Sequence, residues 1–154
     1  MSNALQTLAL VTAITTAIQT AARTFLNTEA ENPIVVYRGQ PLTQVTIPCA
    51  IIDVPGVEIS LSGFAASVAN PSQENSFKII IRQPFPSDET LILNAKIATA
   101  NAVIAQLQTS ATFAGIAGRP LVTHVDLGRE KDNYSTRVYE VELDFSCFTI
   151  ASHH

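Results

Sequence analysis

Charge is scarce in this 154-residue chain: Asp, Glu, Lys and Arg make up only 14% of it, against roughly 25% in ordinary soluble domains. Nine basic residues face thirteen acidic ones, for a net charge of −4, and no Lys/Arg run occurs. Sequence-independent nucleic-acid binding needs a basic footprint, so that class is excluded for a single copy. Tryptophan is absent, which removes the usual aromatic platform for a sugar. The six glycines sit singly, at turns, so no Gly-rich phosphate loop exists. Cysteine occurs only at Cys49 and Cys147, both in apolar, strand-like stretches; buried free thiols are expected and nothing calls for an oxidising compartment. Long apolar runs are missing too. The first 22 residues carry no charge, but Gln6, Thr7, Thr12, Thr15, Thr16, Gln19 and Thr20 interrupt them, and no basic segment opens a signal peptide. A soluble protein without a membrane role, folded in a cytoplasm, is the expectation.

What is present is a large apolar fraction, 47%. A chain of this length forms one core without staples, and one domain over residues 1–154 is expected. Few charges beside so much uncharged surface point toward buried subunit contacts. Residues 3–27 carry an apolar stripe at steps of three and four, Leu8, Val11, Ile14, Ile18, Ala21 or Ala22, and Phe25, which predicts an amphipathic helix. The period then changes. Ile34–Tyr37 is a short β-rich run. Gln44–Val54 alternates, with Val45, Ile47, Cys49 and Ile51 taken to face inward, and Pro55–Gly56 reads as a turn. Gln44–Ser62 is therefore a hairpin or one kinked strand. Gly63–Ser76 reads as a long polar loop and Phe77–Gln83 as a strand. A second helix starts after Ser87 as N-cap, with Asp88 and Glu89 in its first turn. Its stripe is Leu93, Ile97, Ala100, Ile104 and Leu107, and it runs to about Ser110. Two strands close the chain, Arg119–Leu127 and Ser135–Ile150, joined by a charged loop, Gly128–Tyr134.

The order is α-β-β-β-α-β-β, or the same with one extra short strand ahead of the others. It predicts an α+β two-layer sandwich, a mainly antiparallel sheet with both helices on one face.

Candidate chemistry is thin. His153 and His154 end the chain; His124 stands with Asp126 on one predicted strand face, two ligands where zinc wants three or four. Cys147 has no His nearby in sequence to activate it. The most distinctive stretch is Arg137–Phe145, "RVYEVELDF". Tyr139, Val141, Leu143 and Phe145 share one strand face, and Glu140, Glu142 and Asp144 the other. Glu140 and Glu142 sit about 7 Å apart at the rise of a strand, but nothing sets their acidities apart as a catalytic pair requires. The row is either a solvated face or a surface aimed at a partner, a cation or a pore. No enzyme is expected.

In its element order and texture the chain resembles the tail terminator proteins of long-tailed phages: an N-terminal helix, a set of strands, a long helix introduced by "PFPSDET", and a closing hairpin ending in "YEVELDF". The resemblance implies an α+β subunit of a hexameric ring that caps the finished tail tube and joins it to the head, without catalytic residues or cofactor. Tail tube protein and head–tail connector or neck proteins would be its partners, and DNA would pass through transiently. Its place would be the virion tail or neck, after assembly in the host cytoplasm. The Gly63–Ser76 loop would then reach a neighbouring subunit or tube ring. Arg129, Glu130, Lys131 and Asp132 would make salt bridges between subunits, and Glu140, Glu142 and Asp144 would line the passage, repelling phosphates. Two alternatives stay open: another neck component, such as a head-completion or connector protein, and a small cytoplasmic ligand-binding α+β domain.

Overall fold

The computed structural model describes residues 7–39, 41, 46–60, 72–109, 113, 118–131 and 137–150. The fold is α+β, with two α-helices and a five-stranded mixed sheet. Helix α1 spans Thr7–Phe25, and strand β1 Val35–Arg38. Strands β2 and β3 span Cys49–Ser60 and Ser72–Pro84. Helix α2 spans Ile92–Leu107, and strands β4 and β5 Gly118–Lys131 and Val138–Ile150. The sheet order is β1-β2-β3-β5-β4.

Helix α1 forms because Leu10, Val11, Ile14, Ala17, Ile18, Ala21 and Ala22 fall on one side and are buried. It ends where Asn27 takes φ 52°. Asn tolerates that left-handed conformation, so Thr28 N–H reaches back to the Arg23 carbonyl at 3.0 Å and closes the last turn. The Gln19 amide then clamps Ile34, donating to its carbonyl at 2.7 Å and accepting from its N–H at 3.4 Å. That fixes the entry of β1 beside α1. The expected stripe is met from Val11 onward, but Leu8 is 69% exposed; Leu10 takes the inward position of that turn.

Helix α2 differs more from expectation. Asp88 rather than Ser87 is the capping residue, and it caps the short 3-10 turn Glu89–Leu91 that leads into the helix, accepting from Thr90 N–H at 3.0 Å; α2 itself starts after Leu91 without a side-chain cap. Its buried residues are Lys96, Thr99, Ala100, Val103 and Leu107, while Leu93 and Ile97 face outward at 56% and 40% exposure. Apolar residues occur all round this helix, so its sequence does not say which side turns inward.

Both helices pack on one sheet face. Ala50 and Ile52 of β2, Phe77, Ile79 and Ile81 of β3, and Tyr139, Val141, Leu143, Phe145 and Cys147 of β5 point toward them. Phe113 stacks on Phe145 at 5.5 Å between centroids. At one end the same face is polar: Gln73, Asn75 and Thr149 are buried and hydrogen-bonded to each other, and Thr7 donates to Asn75 at 3.3 Å. Buried polar groups persist when satisfied in this way.

Several sequence expectations are corrected. Strand β1 runs parallel to β2, pairing Val35 with Cys49 through Arg38 with Ile52, so the sheet is mixed. The stretch around Pro55–Gly56 is a bulge within one long strand, not a hairpin turn: β2 takes three steps from Asp53 to Gly56 where β3 takes two from Lys78 to Ser76. Cys49 and Ile51 lie on the face away from the helices and Ile52 on the helix side, the reverse of the predicted parity. Residues Ser72–Ser76, read as loop, belong to β3; positions 63–71 of the predicted loop lie outside the described residues.

Candidate interaction surface

The sheet face away from the helices carries most of the charged residues that the sequence singles out. Glu140, Glu142 and Asp144 do share that face, but they are not three free carboxylates. Arg82 stands directly across from Glu140 in the β3–β5 register, and its Nε donates to Glu140 Oε2. Glu140 is 2% exposed. Lys78 Nζ lies 3.1 Å from Glu142 Oε1, and Glu142 is 7% exposed. Asp144, paired in register with Lys78 on one side and His124 on the other, is the half-buried member. Lys78 and Arg82, four apart on β3, meet the acidic row of β5 because the antiparallel register sets those rows opposite each other. Alternation along the Phe77–Gln83 strand already sets Lys78 and Arg82 on this outer face; what the sequence does not give is their pairing with the acidic row, which the β3–β5 register sets.

Cys49, Ile51 and Ile80 complete this region and are buried, so the outer face is closed at the β1 end of the sheet. Burial pushes the Cys49 thiol up to about 11, with Arg82 opposing and Glu140 adding to the shift. Cys147, on the helix side, is pushed up to about 12 by burial alone. Both are free thiols held protonated, which makes poor nucleophiles. His124 and Asp126 share the outer face as expected, opposite Asp144 and Glu142. No group of three or more His, Cys, Asp and Glu side chains among the described residues is arranged to hold a metal ion.

The charged segment from Gly128 is another correction. Arg129, Glu130 and Lys131 lie in strand β4 rather than in a loop, and Asp132 lies outside the described residues. The Glu130 carboxylate is used within the chain: Arg137 donates to it at 3.3 Å and Lys96 approaches at 3.6 Å. Arg137 also stacks 4.3 Å over the Phe85 ring and reaches Glu89 at 3.5 Å. This cluster ties α2 and its leading turn to the β4–β5 end of the sheet.

Two surfaces remain unmatched. The outward side of α2 shows Leu93, Asn94, Ile97, Ala98, Asn101 and Ala105 without a charge, next to Leu91 at 47% exposure. Beyond Ile52, no described strand pairs with the free side of β2. There an open groove of about 480 Å³ is lined by Thr7, Leu8, Val11, Arg38, Gly39, Ile52, Asp53 and Val54.

No family profile and no curated protein matches the chain. One solved structure, the "Virion of native gene transfer agent (GTA) particle", aligns over 84% of this chain and 84% of its own, at 14% identity and a TM-score of 0.41. An overlap that loose carries no argument about role.

Proposed function

We propose that the chain is a structural, non-enzymatic subunit of a phage-like particle, of the tail terminator kind: part of a ring that caps the tail tube and joins it to the head or neck. The observation that carries the subunit role is the outward side of α2. The helix carries apolar residues on its outward side as well as on the buried side that holds Lys96, Thr99, Ala100, Val103 and Leu107, and that outward side bears no charge. Leu93 and Ile97 are left for a neighbouring copy. The kind of particle follows from the element order and closing-hairpin texture shared with tail terminators. In this reading the passage for DNA is bordered by the solvent-reaching end of the acidic row at Asp144. Arg129 and Lys131 at the end of β4 meet a neighbouring subunit, tail tube or connector.

The test is light scattering on a sizing column across concentrations, with and without isolated tail tubes, and negative-stain images of the same fractions. Wild type is expected to form rings of about six subunits, and Leu93→Glu/Ile97→Glu to fail to form them while staying folded. A monomer under every condition, unchanged by the double substitution, overturns the reading.

A further inference from the structure

The two edges of the sheet are treated differently. Strand β4 is guarded along its length: Pro120 offers no N–H, and the pairing with β5 is interrupted by three register shifts. Val122 N–H is taken by the Gln108 side chain at 2.9 Å, and Gly128 N–H by Asp126 at 2.9 Å. Such devices keep an edge from pairing with other chains. Among the described residues, the overhang of β2 past Ile52 has only the bulge and Pro55, and Gly56–Ser60 continues as regular strand paired to β3 on its other side. Strand β1 ends at Arg38, and Gly39, at φ +91°, donates to the Ile52 carbonyl at 2.7 Å.

The side chains around this edge define what fits it. On the helix side lie Val57, Ile59 at 53% exposure, and the groove floored by Ile52 and flanked by Leu8, Val11 and Val54. On the outer side Glu58 stands directly opposite Glu74, two carboxylates in one cross-strand pair. Like charges so placed disfavour each other, and a cation on the far side of Glu58 relieves them.

We propose that the β2 overhang accepts an extended segment of a different protein as a sixth strand, one that alternates apolar, basic, apolar. Its backbone pairs with Gly56–Ser60, its apolar side chains lie over Val57, Ile59 and the Leu8–Val11 groove, and its Lys or Arg sits beside Glu58. Backbone pairing with alternate side chains read by a pocket is the usual form of strand addition. A second copy of this chain does not fit. Of its nine basic residues only Lys78 and Lys96 stand between two apolar side chains, and these lie in the central strand β3 and in helix α2. Antiparallel pairing of two overhangs would set Glu58 near its own copy. The inference does not depend on the ring proposed above.

The test uses the full chain and two fluorescent peptides with a central Val-Lys-Val or Val-Glu-Val between threonines, followed by anisotropy. The basic peptide is expected to bind more tightly by roughly two- to thirtyfold. Glu58→Lys is expected to reverse that order, and N-methylation of the peptide backbone to abolish binding. Amide exchange of residues 56–60 is expected to slow on binding. The proposal is overturned if neither peptide binds, if N-methylation is without effect, if Glu58→Lys leaves the preference unchanged, or if the chain self-associates through this edge so that the peptide cannot displace it.

Discussion

Replacing Glu140 by Gln isolates what the buried ion pair contributes. The substitution keeps shape and removes one charge, leaving the Arg82 guanidinium, 12% exposed, in a closed region beside Cys49 and Ile80. Breaking a buried pair on one side costs up to about 3–5 kcal/mol, the more so the less the remaining charge is compensated by water or other groups. Some solvent still reaches Arg82, so the low end, about 3 kcal/mol, is expected. With a urea slope near 2 kcal/mol per molar, the unfolding midpoint falls by roughly 1.5 M. Glu142→Gln is the internal control. Its partner Lys78 is 41% exposed and keeps its hydration, so that loss stays under about 1 kcal/mol. The double substitution Arg82→Met/Glu140→Leu removes both charges and restores stability to within about 1 kcal/mol of wild type or exceeds it. Equal small losses for Glu140→Gln and Glu142→Gln would refute the buried pairing. A double variant as damaged as the single one would refute the electrostatic cause.

The thiol reagent assay gives a second check. At pH 8 the shifts from 9.0 to about 11 and about 12 leave Cys49 and Cys147 with about a hundredfold and a thousandfold less thiolate than a free thiol. Labelling by a disulfide reagent should therefore follow unfolding and saturate at two thiols only in denaturant; rapid labelling of the folded chain would contradict it. Leu143→Ala, in the core at 0% exposure, should cost about 2–5 kcal/mol. Leu121→Ala, 53% exposed, should change stability by less than about 0.5 kcal/mol. Similar denaturation midpoints for the two would refute the face assignment.

How much of this was legible in the sequence depends on whether each segment has one apolar side or two. Strand β5 alternates strictly from Tyr139 to Cys147, and Tyr139, Val141, Leu143 and Phe145 all point to the helices as read. Helix α1 was similarly clear from Val11 onward, though not at Leu8 and Leu10. In β2 the run Cys49–Ile52 is apolar on both sides because both faces of the sheet are closed there, so period two carries no parity. The bulge then shifts the alternation and brings Glu58 to the outer face. Strand β1 was visible as a segment, but its parallel pairing is a tertiary choice that no local pattern encodes. The acidic row was read correctly as a row and less well as a surface. Its exposure depends on the register of β3 against β5, some 60 residues apart in sequence: Arg82 with Glu140 and Lys78 with Asp144.

That register also says where the negative charge of the outer face remains. Arg82 and Lys78 offset Glu140 and Glu142 toward the β1 end, whereas Glu58 and Glu74 face each other at the opposite end of β2 and β3. The residual field therefore gathers at the open edge, away from the residues that first drew attention. Two exposed or half-exposed carboxylates directly across a strand pair cost about 0.2–1 kcal/mol. Removing either should return that amount: Glu74→Gln is expected to raise the urea midpoint at low salt, and the gain should fade as ionic strength rises and the Debye length shrinks toward 3 Å at about 1 M. The Glu58→Gln/Glu74→Gln pair should add little to either single change, since one substitution already ends the repulsion. Additive gains, or a gain insensitive to salt, would mean that the two carboxylates do not face each other and that the edge lacks the charge that a basic strand would read.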